Sequence, residues 1–220
     1  MNRHTAREIV AGAAGAIEVA LDRPACTPRG LALIAHPHPL HGGTLDNKVA
    51  QSLARAWVQL GFIAIRPNFR GVGASAGSFD GGRGETDDLH RVLAHYRQVL
   101  GAELGDAPAL ALAGFSFGAF VAACVAQRLH AAGQPARHLC LIGPAVVNFP
   151  FPSLRDPQPL AARVLVVHGE VDEVVPLHAV LDWARPQQQP VLVAPGAGHF
   201  FHGMLTPLKD WVCAWHGGAP

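Results

Sequence analysis

Gly114-Phe115-Ser116-Phe117-Gly118 places a serine between two glycines in a G-x-S-x-G pattern. A serine on a sharp strand-to-helix turn is held in a strained conformation with its hydroxyl thrust outward, and large side chains at the glycine positions would strike the neighbouring strand and helix. The sequence supplies that context, an apolar run before Gly114 and another after Gly118. Ser116 is therefore the candidate nucleophile for acyl transfer. The helix that follows would place its N-terminal dipole and free amides beside a developing oxyanion.

A serine needs a base. Gly198-His199-Phe200 follows the short apolar run Val191–Val193 through a loop, Ala194-Pro195-Gly196-Ala197, that could carry an imidazole over a sheet edge. His199 is preferred to its neighbour His202 because it lies closer to the strand end and follows Gly198. The base in turn needs a carboxylate to set its tautomer and stabilise the imidazolium. The stretch from Val164 to Pro176 offers Glu170, Asp172 and Glu173 after an apolar strand and a His168-Gly169 turn. Asp172, short and in mid-loop, is the preferred acid.

The elements that would position these residues alternate along the chain. Ile9–Ile17 reads as strand, glycine turn and strand rather than a leader peptide, since Glu8 and Glu18 bracket it and Gly12 and Gly15 interrupt it. Leu31–Ala35 and Phe62–Ile65 are short apolar runs typical of interior strands. A helix capped by Asp46 or Asn47 runs to about Leu60, with Gly61 as its stop. Glu85–Leu100 has helical spacing, with Leu89, Val92, Leu93 and Tyr96 on one face. Ala109–Ala126 is apolar enough to imitate a membrane span, but Gly114, Ser116 and Gly118 at its centre make it strand, turn and helix. Strands at Leu139–Gly143, Val164–Val167 and Val191–Val193, a helix at Leu177–Trp183 and a last helix after His199 complete the pattern. Alternation of this kind implies an α/β class, a mostly parallel sheet with helices on both faces. No linker divides the 220 residues, so a single domain over 1–220 is expected.

These motifs identify the chain as resembling the α/β-hydrolase superfamily, in particular a bacterial group of small lidless serine hydrolases related to the dienelactone-hydrolase and acyl-peptidase branches. The resemblance rests on His36-Pro37-His38-Pro39-Leu40-His41-Gly42-Gly43-Thr44 followed by Asp46-Asn47-Lys48-Val49. It rests also on Asn68-Phe69-Arg70-Gly71-Val72-Gly73-Ala74-Ser75, with Asn68 where aspartate is common, and on His168-Gly169-Glu170-Val171-Asp172. It spans roughly Leu31 to His199. The chain order Ser116, Asp172, His199 is the order of that fold.

The resemblance implies a serine esterase acting by a Ser-His-Asp triad through an acyl-enzyme. The oxyanion would be held by the Phe117 amide and a second amide from the His36–Thr44 loop. His38 is the aligned donor and Leu40 the alternative; Pro37 and Pro39 have no N–H to give. It implies a small-molecule ester or thioester substrate, no cofactor and no metal. Peptidase or amidase action on the same triad, and a non-catalytic binding protein keeping the fold, are the competing classes. A metal site on His36, His38 and His41 would lack a full ligand set. Pro144–Ala162 is too short and proline-rich for a helical lid. Phe149 and Phe151 within it either line an open apolar rim, which would favour short acyl chains, or pack onto the core.

Composition narrows the partners. A net charge of +1 without a basic run lacks the footprint of a nucleic-acid binder. The sequence supports no membrane role. Cys26, Cys124, Cys140 and Cys213 show no C-x-x-C spacing and read as buried free thiols, which suits a cytoplasmic setting. Half the residues are hydrophobic and 15% are charged. So little surface charge points to a self-associating face and hence a homodimer, which a native mass of one chain would contradict.

Overall fold

The computed structural model describes residues 5–105, 108–155 and 158–217. Among these residues eight strands form one sheet: β1 (Ala6–Ala11), β2 (Ala16–Asp22), β3 (Gly30–Ala35), β4 (Phe62–Pro67), β5 (Ala109–Phe115), β6 (Ala136–Ile142), β7 (Ala161–Gly169) and β8 (Val191–Ala194). Their order is β1-β2-β4-β3-β5-β6-β7-β8. β1 and β2 form the antiparallel hairpin expected around the Gly12–Gly15 turn, and β2 joins β4 antiparallel. From β4 to β8 every pairing is parallel.

Among the described residues there are six α-helices flanking the sheet: α1 (Lys48–Gln59), α2 (Arg83–Val99), α3 (Gly101–Leu104), α4 (Phe117–Ala131), α5 (Leu177–Ala184) and α6 (Leu205–Gly217). Strand β3 shows how the layers form. Side chains alternate across a strand. Leu31, Leu33 and Ala35 pack with residues of α2 and α4, such as Leu89, Val92, Val121 and Val125. Ala32 and Ile34 pack with residues of α1 and α6, such as Leu53, Trp57, Leu208 and Val212. All six residues of β3 are buried, the signature of a strand covered on both faces.

Local chemistry sets the helix ends. The Asn47 side chain caps α1, its Oδ1 accepting from the amides of Val49 (2.9 Å) and Ala50 (3.3 Å). Glu85 Oε2 accepts from the Gly82 amide at 2.8 Å, so α2 begins two residues before the start read from its apolar stripe. Between β6 and β7, where a lid would be inserted, the described residues form turns and extended chain with no helix. Residues 156 and 157 of that connection lie outside the described set.

Of the cysteines, Cys140 is buried, Cys124 and Cys213 are half-buried and Cys26 is exposed; all four are free thiols. The expectation of burial fails for Cys26, which sits in the irregular connection after β2, away from any apolar run. No helix among the described residues is long and apolar enough to cross a membrane.

Candidate active site

The C-terminal ends of β5, β7 and β8 deliver Ser116, Asp172 and His199 to one point. Ser116 follows the last residue of β5 and caps α4 with φ 56° and ψ −118°. A positive φ is costly for a side chain with a Cβ, and here the packing enforces it. Its amide donates to the Ile142 carbonyl of β6 at 2.9 Å. The two glycines leave no alternative. A Cβ on Gly114 would stand 2.1 Å from the Gly118 carbonyl oxygen, and one on Gly118 would stand 2.3 Å from that of Ala35 on β3. The strand and helix can approach this closely only with bare backbone at both positions.

His199 Nε2 lies 3.0 Å from Ser116 Oγ, and His199 Nδ1 lies 2.7 Å from Asp172 Oδ2. A carboxylate only accepts, so Nδ1 carries the ring proton and Nε2 presents its lone pair to the serine hydroxyl. The other carboxylate oxygen, Oδ1, accepts from the amides of Val174 (2.9 Å) and Val175 (2.8 Å). Burial pushes the Asp172 carboxyl up, but the bond from His199 and the two amides together hold it below the ordinary carboxylate value. The Asp172 carboxylate therefore stays charged beside the imidazole.

The competing residues have other work. Glu170 Oε2 accepts from the Gly196 amide at 2.8 Å, and Glu173 Oε2 accepts from the His199 amide at 3.4 Å. Both brace the loop that carries His199. His202 is exposed, with its ring against Phe200. Phe201, buried in the core of the α1–α6 face, anchors the same loop from below. Gly143, at the end of β6, has φ 51°, and a Cβ there would stand 3.4 Å from His199 Cε1. That glycine gives the imidazole room beside β6. Its position after an apolar strand was the only sequence signal for it.

The loop after β3 supplies amides. The Phe117 amide opens α4, where an N–H has no carbonyl four residues back. The His38 amide has no acceptor among the described residues. The Leu40 amide donates to His38 Nδ1 at 3.2 Å, so the alternative donor considered from sequence is already engaged. His36 is not a ligand in waiting. Its Nδ1–H donates to the Pro37 carbonyl (2.7 Å) and its Nε2 accepts from the Phe69 amide (2.9 Å). Burial pulls its pKa down to about 4. Among the described residues no group of three or more His, Cys, Asp or Glu side chains is arranged to hold a metal ion.

The remaining motifs are braces. Asn68 Oδ1 accepts from the Leu45 amide (2.8 Å) and its Nδ2 donates to Glu18 Oε2 (2.7 Å). An aspartate could not make the second bond, which explains an amide at this position. Arg70 Nε pairs with Asp88 at 2.8 Å, and buried His168 holds the Val175 carbonyl at 2.8 Å beneath the Asp172 loop.

A cavity of about 540 Å³ opens over Ser116 and His199. It is walled by Phe117, Phe149, Val174 and Phe200, with His38 and His41 on the polar side. Val174 and Phe200 were not singled out from sequence, and His41 was weighed there only as a metal ligand. They come from three separate loops, and nothing in their spacing ties them together. Phe149 both lines this cavity and packs on the core, its ring 4.9 Å from Phe117 and 5.1 Å from Phe120. Phe151 turns away to Phe120 and Trp183.

A mostly parallel eight-stranded sheet with a serine at a strained strand-to-helix elbow defines an α/β-hydrolase-fold serine hydrolase. The model of the Thioesterase domain family matches residues 64–185, more than half of the chain, and the chain belongs to that family. A serine hydrolase without a lid from Xanthomonas campestris is 35% identical and superposes with a TM-score of 0.86 over 100% of this chain and 99% of its own. An α/β serine hydrolase homologue from Coxiella burnetii is 37% identical, with a TM-score of 0.83 over 95% of this chain and 96% of its own. An uncharacterized protein of Rickettsia prowazekii is 32% identical over 178 residues, covering 78% of this chain and 71% of that protein.

Proposed function

We propose that this hydrolase cleaves carboxylic esters or thioesters of small, short-acyl substrates through an acyl-enzyme on Ser116. The observation that carries the reading is the unbroken relay from Ser116 Oγ to His199 (3.0 Å) and from His199 to Asp172 (2.7 Å). The Thioesterase family match supports the thioester half of the substrate class.

In this reading Ser116 Oγ attacks the substrate carbonyl as His199 Nε2 takes its proton. The carbonyl oxygen becomes an oxyanion held by the amides of Phe117 and His38. Asp172 keeps the imidazole oriented and stabilises its positive charge without itself being protonated. His199 then gives the proton to the departing alcohol or thiol, and the C–O or C–S bond breaks. Water enters, loses a proton to the same nitrogen and attacks the acyl-serine. Collapse of the second tetrahedral species returns the proton to Ser116 and releases the acid. No metal or organic cofactor takes part in any of these steps.

The test is covalent. A fluorophosphonate probe is expected to add one label per chain at Ser116. A panel of nitrophenyl esters, acyl thioesters and anilides is expected to show turnover of the first two at least a hundredfold above the third. Folded protein that takes no label would return the chain to the binding-protein class. Anilide turnover equal to ester turnover would favour an amidase.

A further inference from the structure

His168 stands outside the relay from Ser116 to Asp172, yet it reaches the acid. It is the penultimate residue of β7 and is fully buried. It lies on the same face of the strand as Val164 and Val166, which pack in the core that also holds Val175 and Val180. Its Nε2 is 2.8 Å from the Val175 carbonyl oxygen, and the same nitrogen is 3.5 Å from Asp172 Oδ2. A carbonyl only accepts, so the ring proton is on Nε2. Nδ1 is buried and has no hydrogen-bond partner among the described residues. These contacts close a circuit. The Val175 amide donates to Asp172 Oδ1 at 2.8 Å, the Val175 carbonyl accepts from His168, and His168 Nε2 faces Oδ2, the oxygen that accepts from His199 Nδ1 at 2.7 Å. An apolar side chain would fill the same space. An imidazole there carries the cost of a desolvated ring and an orphaned Nδ1, so packing alone does not account for it.

We propose that His168 is a positioning residue for the acid–base pair, a neutral imidazole whose Nε2–H fixes the rotation of the Asp172 carboxylate that aims Oδ2 at His199. This rests on the hydrolase reading above and adds a residue to its machinery. The neutral form is built in. A second proton on Nδ1 would bury an N–H with no acceptor. It would also set a cation beside Oδ2, in competition with the imidazolium of His199 for the same oxygen. Burial holds the His168 pKa below the ordinary histidine value, against the pull of the Val175 carbonyl and of Asp172. The other carboxylates of the loop, Glu170 and Glu173, accept from the amides of Gly196 and His199 and make no bond to His168.

The experiment compares kcat, KM and the acid limb of kcat/KM for nitrophenyl acetate in wild type, His168→Leu and His168→Gln. Leucine keeps the bulk and loses the donor, whereas glutamine can place an amide N–H where Nε2 stands. His168→Leu is expected to lower kcat by about ten- to a hundredfold with KM nearly unchanged, the effect of a misaimed base. Its acid limb is expected to move to lower pH, because an imidazolium less well held by its carboxylate gives up its proton more readily. His168→Gln is expected to restore most of kcat and the wild-type limb. A wild-type kcat in His168→Leu, or equal losses in both variants with the acid limb unmoved, overturns the proposal. Nitrogen-15 histidine spectra of the wild type test it without any variant. His168 is expected as the neutral Nε2–H tautomer from about pH 8 to 5.5, and a charged ring or an Nδ1–H tautomer there refutes it. The low-field proton signal of His199 Nδ1–H keeps the two readings apart. Wild type that turns over no ester refutes the hydrolase reading. A signal lost in His168→Leu and kept in His168→Gln still supports the positioning role, and one unchanged in His168→Leu refutes it.

Discussion

Replacing Ser116 by alanine is expected to lower kcat for a nitrophenyl ester by roughly 10⁴- to 10⁶-fold, with the circular dichroism and melting temperature close to those of wild type. The residual rate would come from the Phe117 and His38 amides, which polarise the carbonyl without a nucleophile. Asp172→Asn is expected to cost about 10⁴-fold, for a reason visible in the hydrogen bonds. Asp172 Oδ1 accepts from two backbone amides, Val174 and Val175. An amide side chain would keep its oxygen on those donors and turn its NH₂ toward His199 Nδ1. The ring would then carry its proton on Nε2 and point an N–H at Ser116, where a lone pair is needed. Activity of Ser116→Ala within tenfold of wild type would remove Ser116 from the mechanism. Full activity of Asp172→Asn would remove the tautomer argument.

Lowering the pH from 7 to 4.5 is expected to cost the folded state several kcal/mol, seen as a large fall in the urea midpoint. Three buried histidines drive this. Burial pulls His36 to about 4, and burial with nearby arginines pulls His138 to about 4. Burial, the His138 ring and Arg163 pull His216 to about 3. In the unfolded chain each returns to about 6.5. The unfolded state therefore binds more protons between pH 6.5 and 4. Stability is complete above 6.5 and drains away as pH falls toward the folded values, by about 2 kcal/mol for each residue.

The geometry gives the same sign. His138 Nδ1 and His216 Nδ1 share one hydrogen bond of 3.1 Å, against the buried Trp57 ring. Protonating both rings leaves two donors facing each other. Protonating His36 breaks its bond from the Phe69 amide and loosens the loop that carries His38. Carboxylates such as Asp172, held below their ordinary value, act at lower pH and do not confuse this window. Urea midpoints measured at pH 7, 5.5 and 4.5 read the effect directly. A midpoint flat across that range would contradict it, and His138→Leu with His216→Phe should remove most of the slope contributed by that pair.

Much of the positioning was legible in the residues. Val, Leu and Ala around Gly114–Gly118 leave only a buried strand and a buried helix for β5 and α4, so the elbow could be read from one segment. The Gly12–Gly15 hairpin was equally local. Elsewhere polar residues hid strand ends. β6 begins at Ala136 and β7 at Ala161, earlier than their apolar runs, because Arg137, His138 and Arg163 interrupt the pattern. His138 could not be recognised as interior, since its partner His216 lies 78 residues away on α6. α3 has four residues, too few to show a period.

By itself the sequence determined which residue types could act and in what chain order, because the elbow, the acid loop and the histidine loop are short segments whose glycines and apolar flanks constrain them locally. Only the tertiary structure decided which of three carboxylates meets the imidazole, which loop amide is free, and which rings wall the cavity. Those choices depend on distances between segments far apart in the chain, set by strand register and side-chain packing. A difference of one or two residues within the acid loop exchanges Asp172, which holds the base, for Glu170 or Glu173, which brace its backbone.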